Sequence, residues 1–156
     1  MWVGGARVVV LNDQKEVLMV RHWQDDKNIW LVPGGNVDDH ENSLEAAIRE
    51  VREETGLEIE IVQLIWHVEE VSPERGQRFV NFFLGKCIGG ELKLGTDPER
   101  GEDNQVMEEV LFVSRDKIQD LDVLYPEYLK NELWEFLDSE QPLSATYKIR
   151  KNGGKR

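Results

Sequence analysis

Cysteine occurs once in this chain, at Cys87, so no disulfide can form within it. Histidine is nearly as scarce, with three residues, which leaves little nitrogen or sulfur for a zinc centre. Positive charge is in short supply: 19 lysines and arginines face 31 aspartates and glutamates, giving a net charge of -12 and a pI near 4.7. A nucleic-acid duplex or an anionic membrane is therefore a poor partner. A small phosphate ligand stays admissible if cations accompany it. Long apolar runs are also missing. The stretch Val8–Leu11 is short and follows Arg7 directly, so neither a bilayer span nor a secretory leader is expected, and the expected location is cytoplasmic.

The 156 residues suit one domain with a single core, burying roughly two thirds of the unfolded surface. Ala6–Leu11 and Val17–His22 flank a turn-rich Asn12–Lys15 and read as a hairpin. Residues 25–28 read as a polar loop before a short strand, Trp30–Val32, which Pro33-Gly34-Gly35 ends. Downstream, Glu58–Val62, Gln63–Val71, Arg78–Ile88, Glu91–Leu94 and Glu109–Val113 read as strands. Ser114 caps a short helix, and Pro126 opens a last helix, Glu127–Leu137, whose inner stripe is Tyr128, Leu129, Leu133, Trp134 and Leu137. The domain is expected to span 1–138, with 139–156 a frayed basic tail. Strands on both sides of one long helix indicate an α/β order with mixed strand directions.

That long helix runs from Asn42 to Thr55. Asn42 and Glu45 have the spacing of a capping box, and Gly56 suits the left-handed position beyond the end. Leu44, Ala47, Ile48 and Val51 recur at helical spacing and face inward. Glu50, Glu53 and Glu54 sit at i, i+3 and i+4, in a sector beside that stripe, so they belong at the margin of the core. Like charges so placed cost a few tenths of a kcal/mol per pair, more when partly buried. Arg49 alone cannot balance them. A hard divalent cation can, and oxygen ligands favour Mg²⁺ or Mn²⁺.

The whole spacing, Gly35, Glu41, Arg49-Glu50-Val51, Glu53-Glu54 and Gly56-Leu57, resembles the box of the Nudix hydrolase family, G-x5-E-x7-R-E-U-x-E-E-x-G-U with U apolar. Every constrained position is matched. The resemblance implies an α/β/α sandwich around a mixed sheet, with the box as a loop–helix–loop beneath it. It implies a metal-dependent hydrolase that cleaves the pyrophosphate of a nucleoside diphosphate linked to another moiety, X.

By resemblance, Glu50, Glu53 and Glu54 hold Mg²⁺ or Mn²⁺, helped by the Gly34 carbonyl. Either Glu53 or Glu54 takes the proton from water, and Arg49 steadies a glutamate. Gly35 lets the backbone pass close, Gly56 ends the helix, and Glu41 either binds metal through water or braces the loop. A further carboxylate from a later loop is expected. Glu102 is the choice among Asp97, Glu99, Asp103, Glu108 and Glu109. Arg21, Arg75 and Arg78 are candidate phosphate contacts. Trp23, Trp30 and Trp66 offer stacking faces, although packing explains them better. Pro73 lies sixteen residues after Leu57, close to the signature proline of the family's ADP-ribose pyrophosphatases. ADP-ribose or a nucleotide sugar is thus the favoured substrate. A noncanonical nucleoside triphosphate and a non-catalytic nucleotide sensor are the alternatives. The expected partner is the small nucleotide, with a homodimer left open.

Overall fold

The computed structural model describes residues 4–74, 76–95, 106–140 and 144–151. Along the chain run β1 (Gly4–Leu11), β2 (Val17–Gln24), β3 (Lys27–Leu31), β4 (Gly34–Asn36), α1 (Ser43–Thr55), β5 (Leu57–Ser72) and β6 (Gly76–Gly90). Then come β7 (Val106–Val113), α2 (Arg115–Gln119), β8 (Leu124–Tyr125), a 3-10 turn (Glu127–Leu129), α3 (Glu132–Asp138) and β9 (Thr146–Lys151).

The β1–β2 hairpin touches only at its mouth, where Leu11 pairs with Val17. Beyond it the strands part and found two limbs. One limb is β4-β1-β6-β5-β9, in which β1 and β6 run parallel and β5 and β6 antiparallel. The other is β7-β2-β3-β8. Alternation along β1 divides the core. Ala6, Val8 and Val10 face α1, meeting Ala46, Ala47, Val51 and Phe83. Val9 faces the opposite layer with Met19, Trp66, Phe82, Leu133 and Trp134. Helices cover both sides, which gives the mixed, helix-flanked sheet expected from the sequence.

Several local expectations need correction. Lys27 and Asn28 belong to β3, because the turn needs only Asp25 and Asp26, whose φ values of 53° and 62° close a two-residue hairpin. The two strands expected between 58 and 71 are one strand, β5, bent by register shifts at 58/59, 61/63 and 64/66. Glu91–Leu94 is no strand. Its amides, with that of Gly95, serve the open carbonyls at the end of α1: Glu91 donates to Gly56, Lys93 to Thr55 and Gly95 to Glu54. The last helix is broken into the 3-10 turn and α3, with Leu129, Leu133 and Trp134 buried as the stripe requires.

The tail expected to fray contains β9, parallel to β5 from Trp66↔Thr146 to Val71↔Lys151. Charge holds it there. Lys148 Nζ lies 2.9 Å from Glu132 and over the Tyr128 ring, and Arg150 Nε donates to both Glu127 oxygens at 3.0 and 3.1 Å. The basic residues of the tail meet the acids of the preceding helical segment.

Candidate active site

α1 sets the geometry. Its N-cap Asn42 accepts from the Glu45 amide while the Glu45 carboxylate accepts from the Asn42 amide, so both halves of the capping box are present. Gly56 ends the helix at φ 78°, as a left-handed cap requires. The buried face consists of Ala46, Ala47, Glu50, Val51, Glu54 and Thr55. Leu44 is exposed, contrary to the expected stripe, and Ala46 takes its place against the sheet. This rotation carries the acids inward: Glu50 is 2% and Glu54 3% exposed, while the Glu53 side chain keeps 31%. They lie deeper than the core margin expected from periodicity.

Two buried carboxylates need compensation. Glu54 Oε1 accepts from the Gly34 amide at 2.9 Å, tying the helix to β4. Glu50 Oε1 meets Arg49 Nη1 at 3.0 Å. The Glu50 carboxyl also packs on the bare backbone of Gly35, where an added Cβ would lie 2.7 Å from it. Only glycine fits between that carboxylate and β1, to which β4 is paired through Ala6↔Gly35 and Arg7↔Gly34.

Arg49 is the hub. Nη1 also donates to Glu53 Oε1 at 2.9 Å, and Nε and Nη2 fork onto the two Glu41 oxygens at 2.8 and 2.9 Å. Nη2 further reaches the Asn36 carbonyl at 3.0 Å and Asp38 at 3.4 Å. Glu41 also accepts from the Asp38 amide, so in this geometry it braces the loop. The Arg49 hydrogen bonds hold the Glu41 carboxyl below its usual range, against burial, and Glu41 foremost drives the Arg49 guanidinium further up.

One guanidinium thus stands among four box carboxylates, a negative excess lodged in and beside the core. Among the described residues no three acid, imidazole or thiol groups converge into a preformed metal cluster. The side chains turn toward Arg49 instead. The donor set nevertheless fits a hard divalent ion: all ligand atoms are oxygen, the local charge calls for a cation, and Gly35 keeps the approach free of side chains. At Gly34 it is the amide, donating to Glu54, that is tied to the cluster.

Other candidates are scattered. Arg21 ion-pairs with Glu108 at 3.2 Å and Glu109 at 3.1 Å, hydrogen-bonds Asn28 and lies over Trp30. Arg78 lies against Gly5, where a Cβ would meet its Nη2 at 2.6 Å and the Gly35 carbonyl at 3.1 Å. Its guanidinium is therefore one glycine away from the box loop. Arg75 and Glu102 fall outside the described residues. Trp66 is core, edge-on to Phe82 and Tyr128. Trp23 is exposed and Trp30 packs against the core.

Sequence reasoning passed over a second group in the opposite layer, formed by Arg7, Glu70, Tyr125 and Arg150. The Tyr125 hydroxyl donates to Glu70 in a short hydrogen bond, and Arg7 and Arg150 lie over its ring at 5.3 and 5.4 Å. A charge inside the apolar run of β1 was the one available signal. Beside the box loop, a cavity of about 450 Å³ opens among Asp38, His40, Glu41, Ser43, His67 and Asn81. Asn81 bridges it by donating to Ser43 Oγ at 3.0 Å while its carbonyl meets His67.

Comparison with known proteins identifies the family and the fold. A family profile described as NUDIX domain matches residues 1–137. An RNA pyrophosphohydrolase of Pelagibacter ubique is 30% identical over 87% of this chain and 76% of its own. A putative 8-oxo-dGTP diphosphatase of Bacillus subtilis is 35% identical over 58% of each chain. An ADP-ribose pyrophosphatase of Methanocaldococcus jannaschii is also 35% identical, over 60% of this chain and 56% of its own. The matched stretch thus spans little more than half the length of the latter two relatives. Among solved structures, a NUDIX hydrolase from Nitrosomonas europaea superposes with a TM-score of 0.71 at 18% identity, over 97% of this chain and 81% of that one. The profile match, and the intact box lying where the fold needs it, place this chain in the Nudix family.

Proposed function

We propose that this protein hydrolyses the pyrophosphate linkage of a nucleoside diphosphate joined to another moiety, with a divalent metal, Mg²⁺ or Mn²⁺, held by Glu50, Glu53 and Glu54. The observation that carries this reading is the cluster itself: two buried carboxylates and a third at the surface, against one guanidinium, beside a glycine edge. A bound divalent ion supplies charge neutralisation for the diphosphate and lowers the pKa of water. The protein's own groups do the rest. Glu53, the most exposed of the three, is best placed to meet water and accept its proton. Arg49 holds Glu50, Glu53 and Glu41 in register, and the Gly34 amide fixes Glu54. Gly35 admits substrate to the edge of β4, and Arg78 is the nearer of the described candidate phosphate contacts. The Gly34 carbonyl and Glu102 complete the proposed ligand set.

For the substrate we favour ADP-ribose or a nucleotide sugar, on the position of Pro73 in the exposed β5–β6 turn and on the relative named as an ADP-ribose pyrophosphatase. A noncanonical nucleoside triphosphate is the second reading, supported by the relative named as a putative 8-oxo-dGTP diphosphatase. A panel of nucleoside diphosphate derivatives and triphosphates, with Mg²⁺ or Mn²⁺ and products separated by chromatography, tests both. Turnover is expected for at least one compound, to stop with EDTA, and to fall about 10³-fold, ~4 kcal/mol of barrier, in Glu53→Gln. Full activity in EDTA would overturn the mechanism. A triphosphate favoured tenfold in kcat/KM would transfer the assignment to the second reading.

A further inference from the structure

Arg7 is the one charged residue of β1, and it is 6% exposed in a strand otherwise apolar or glycine. A guanidinium kept so deep is costly unless it is bonded, so its partners indicate its use. Nη1 donates to the Val32 carbonyl at 2.6 Å, and the guanidinium carbon lies 5.3 Å from the centre of the Tyr125 ring. The Tyr125 hydroxyl is anchored on Glu70, and burial foremost pushes its pKa up, so it remains a donor. Tyr125 also holds the same short segment through its carbonyl, which accepts from the Val32 amide at 3.2 Å. Segment 32–34 leads from β3 into β4, and its next groups are fixed as well. The Pro33 carbonyl accepts from the Val8 amide at 3.0 Å, and the Gly34 amide donates to Glu54 Oε1 at 2.9 Å. Two of these contacts come from side chains: Arg7 in the layer of Tyr125, and Glu54 from α1 on the opposite side of the sheet. Arg7 also packs directly on Gly34, where an added Cβ would come within 2.3 Å of its Cγ.

We infer that Arg7 is a positioning residue for the acidic cluster: it holds segment 32–34 so that the Gly34 amide fixes Glu54 for metal binding. This rests on the metal-dependent reaction proposed above and adds a residue to it. The path is short. The Val32 carbonyl and the Gly34 amide belong to successive peptide units, and the residue between them is proline. Its ring locks φ, so a single soft torsion separates the group that Arg7 holds from the group that holds Glu54. A tilt at Val32 is passed to Gly34, and from there to the carboxylate. Side chains that hold a metal depend on such outer support for their orientation. The planar guanidinium suits the task, because one edge donates to the carbonyl while its face lies on the tyrosine; a lysine ammonium does the first without the same fit to the second. Glu70 acts one step further back, by fixing the ring on which Arg7 rests.

The test compares the parent with Arg7→Met, Arg7→Lys and Val9→Ala, the last trimming a buried side chain on the same face of β1. A merely structural arginine would affect stability alone, as the Val9→Ala cavity does. In EDTA, amide exchange followed by NMR should be about tenfold faster at Gly34 in Arg7→Met, and close to the parent in Val9→Ala. Mn²⁺ titrated without substrate, and followed by electron paramagnetic resonance, should bind about tenfold more weakly to Arg7→Met. Arg7→Lys keeps a donor for the Val32 carbonyl and should recover most of that affinity. With substrate and saturating metal, the loss in Arg7→Met should fall on kcat, with KM held within about twofold. If either Gly34 exchange or Mn²⁺ affinity is unchanged in Arg7→Met, or changes as much in Val9→Ala, the inference is overturned. A lysine variant no better than Arg7→Met overturns it too, because the donor to Val32 would then be immaterial. Should Arg7→Met not fold, Arg7→Gln, too short to reach the carbonyl, takes its place. If Arg7→Met loosens Gly34 and weakens Mn²⁺ binding while even the parent turns over no nucleotide, the proposed reaction fails and the positioning role stands.

Discussion

Two charged groups lie on opposite sides of β1 and are built in opposite ways. The acidic one draws Glu50, Glu53, Glu54 and Arg49 from thirteen residues of one helix, α1, with Glu41 just before it. The basic one draws Arg7, Glu70, Arg78, Tyr125 and Arg150 from five strands spread over the chain. The acidic group sets four carboxylates around one guanidinium, while in the other the arginines face Glu70 and Glu127. The acidic group is tied down by bonds of 2.8 to 3.0 Å to Arg49 and Gly34, whereas in the other Arg150 bonds Glu127 at 3.0 and 3.1 Å and Glu70 lies about 4 Å from Arg78 and Arg150. The first is a set braced by one guanidinium within a helix and the loop before it, and the second is joined across strands by ion pairs and the Tyr125 hydroxyl.

The sharpest way to break the comparison is to remove the acidic hub. Arg49→Met leaves Glu50 buried without its guanidinium and frees Glu41 and Glu53 to repel each other. A loss of about 3 kcal/mol in EDTA is expected, since truncating one partner of a buried pair strands the other charge. Mg²⁺ should return a good part of that loss by binding the folded state. Denaturant unfolding with and without Mg²⁺ measures both terms. A variant as stable as the parent in EDTA would mean that the acids do not depend on Arg49.

The contrast also explains what could be read in advance. Caps, box spacing and the i, i+3, i+4 acids of α1 are local properties, and local rules placed them. What periodicity misjudged was depth: it assigned Leu44 to the core, and the helix rolled to bury Glu50 and Glu54 instead. That roll is set by Gly34 and Gly35, whose bare backbone lets carboxylates approach β4. The basic group was illegible because its members meet only through strand order. Arg7 and Arg78 come together through the parallel β1–β6 pairing, and Arg150 through β9, a stretch whose polar composition suggested a free tail. Ion pairs to Glu127 and Glu132 override that composition.

Gly35 is where the two groups come closest, and crowding it should disturb the acids first. Gly35→Ala puts a methyl group 2.7 Å from the Glu50 carboxyl, inside any allowed contact. Overpacking of this kind costs about 2 kcal/mol. Urea melts of Gly35→Ala, alone and combined with Glu50→Ala, should give less than the sum of the two losses. Simple additivity would place the strain elsewhere.

The Arg49 fork on Glu41 makes part of the acidic group's stability pH-dependent. Its hydrogen bonds lower the Glu41 pKa in the folded state, so over the affected window the unfolded chain binds more protons. The contribution is therefore complete above the ordinary glutamate value of about 4.3 and is lost as pH falls through the lowered folded value. Glu41→Gln should melt below the parent at pH 7, by about 1 kcal/mol for a forked, half-shielded pair, and the gap should close on acidification toward pH 3. A gap unchanged at pH 3 would mark Glu41 as a packing residue.

The smallest effect is the most discriminating, because its sign is in question. Glu53→Gln keeps side-chain length and helix propensity while removing one charge from a group already in excess. It relieves repulsion from Glu50 and Glu54 but gives up the Arg49 contact at 2.9 Å. At 31% exposure that i,i+4 pair contributes about 0.5 kcal/mol or less. Arg49 also keeps Glu41 and Glu50, so the guanidinium is not stranded. In EDTA the variant should be as stable as the parent or a few tenths of a kcal/mol more so. With Mg²⁺ the order should reverse, since the parent binds the ion more tightly and gains more by mass action. Thermal melts of both proteins in EDTA and in Mg²⁺ supply the four values needed. If Glu53→Gln is clearly the weaker protein in EDTA and both respond equally to Mg²⁺, Glu53 is an anchor for Arg49, and the metal must be held by Glu50, Glu54 and groups beyond α1.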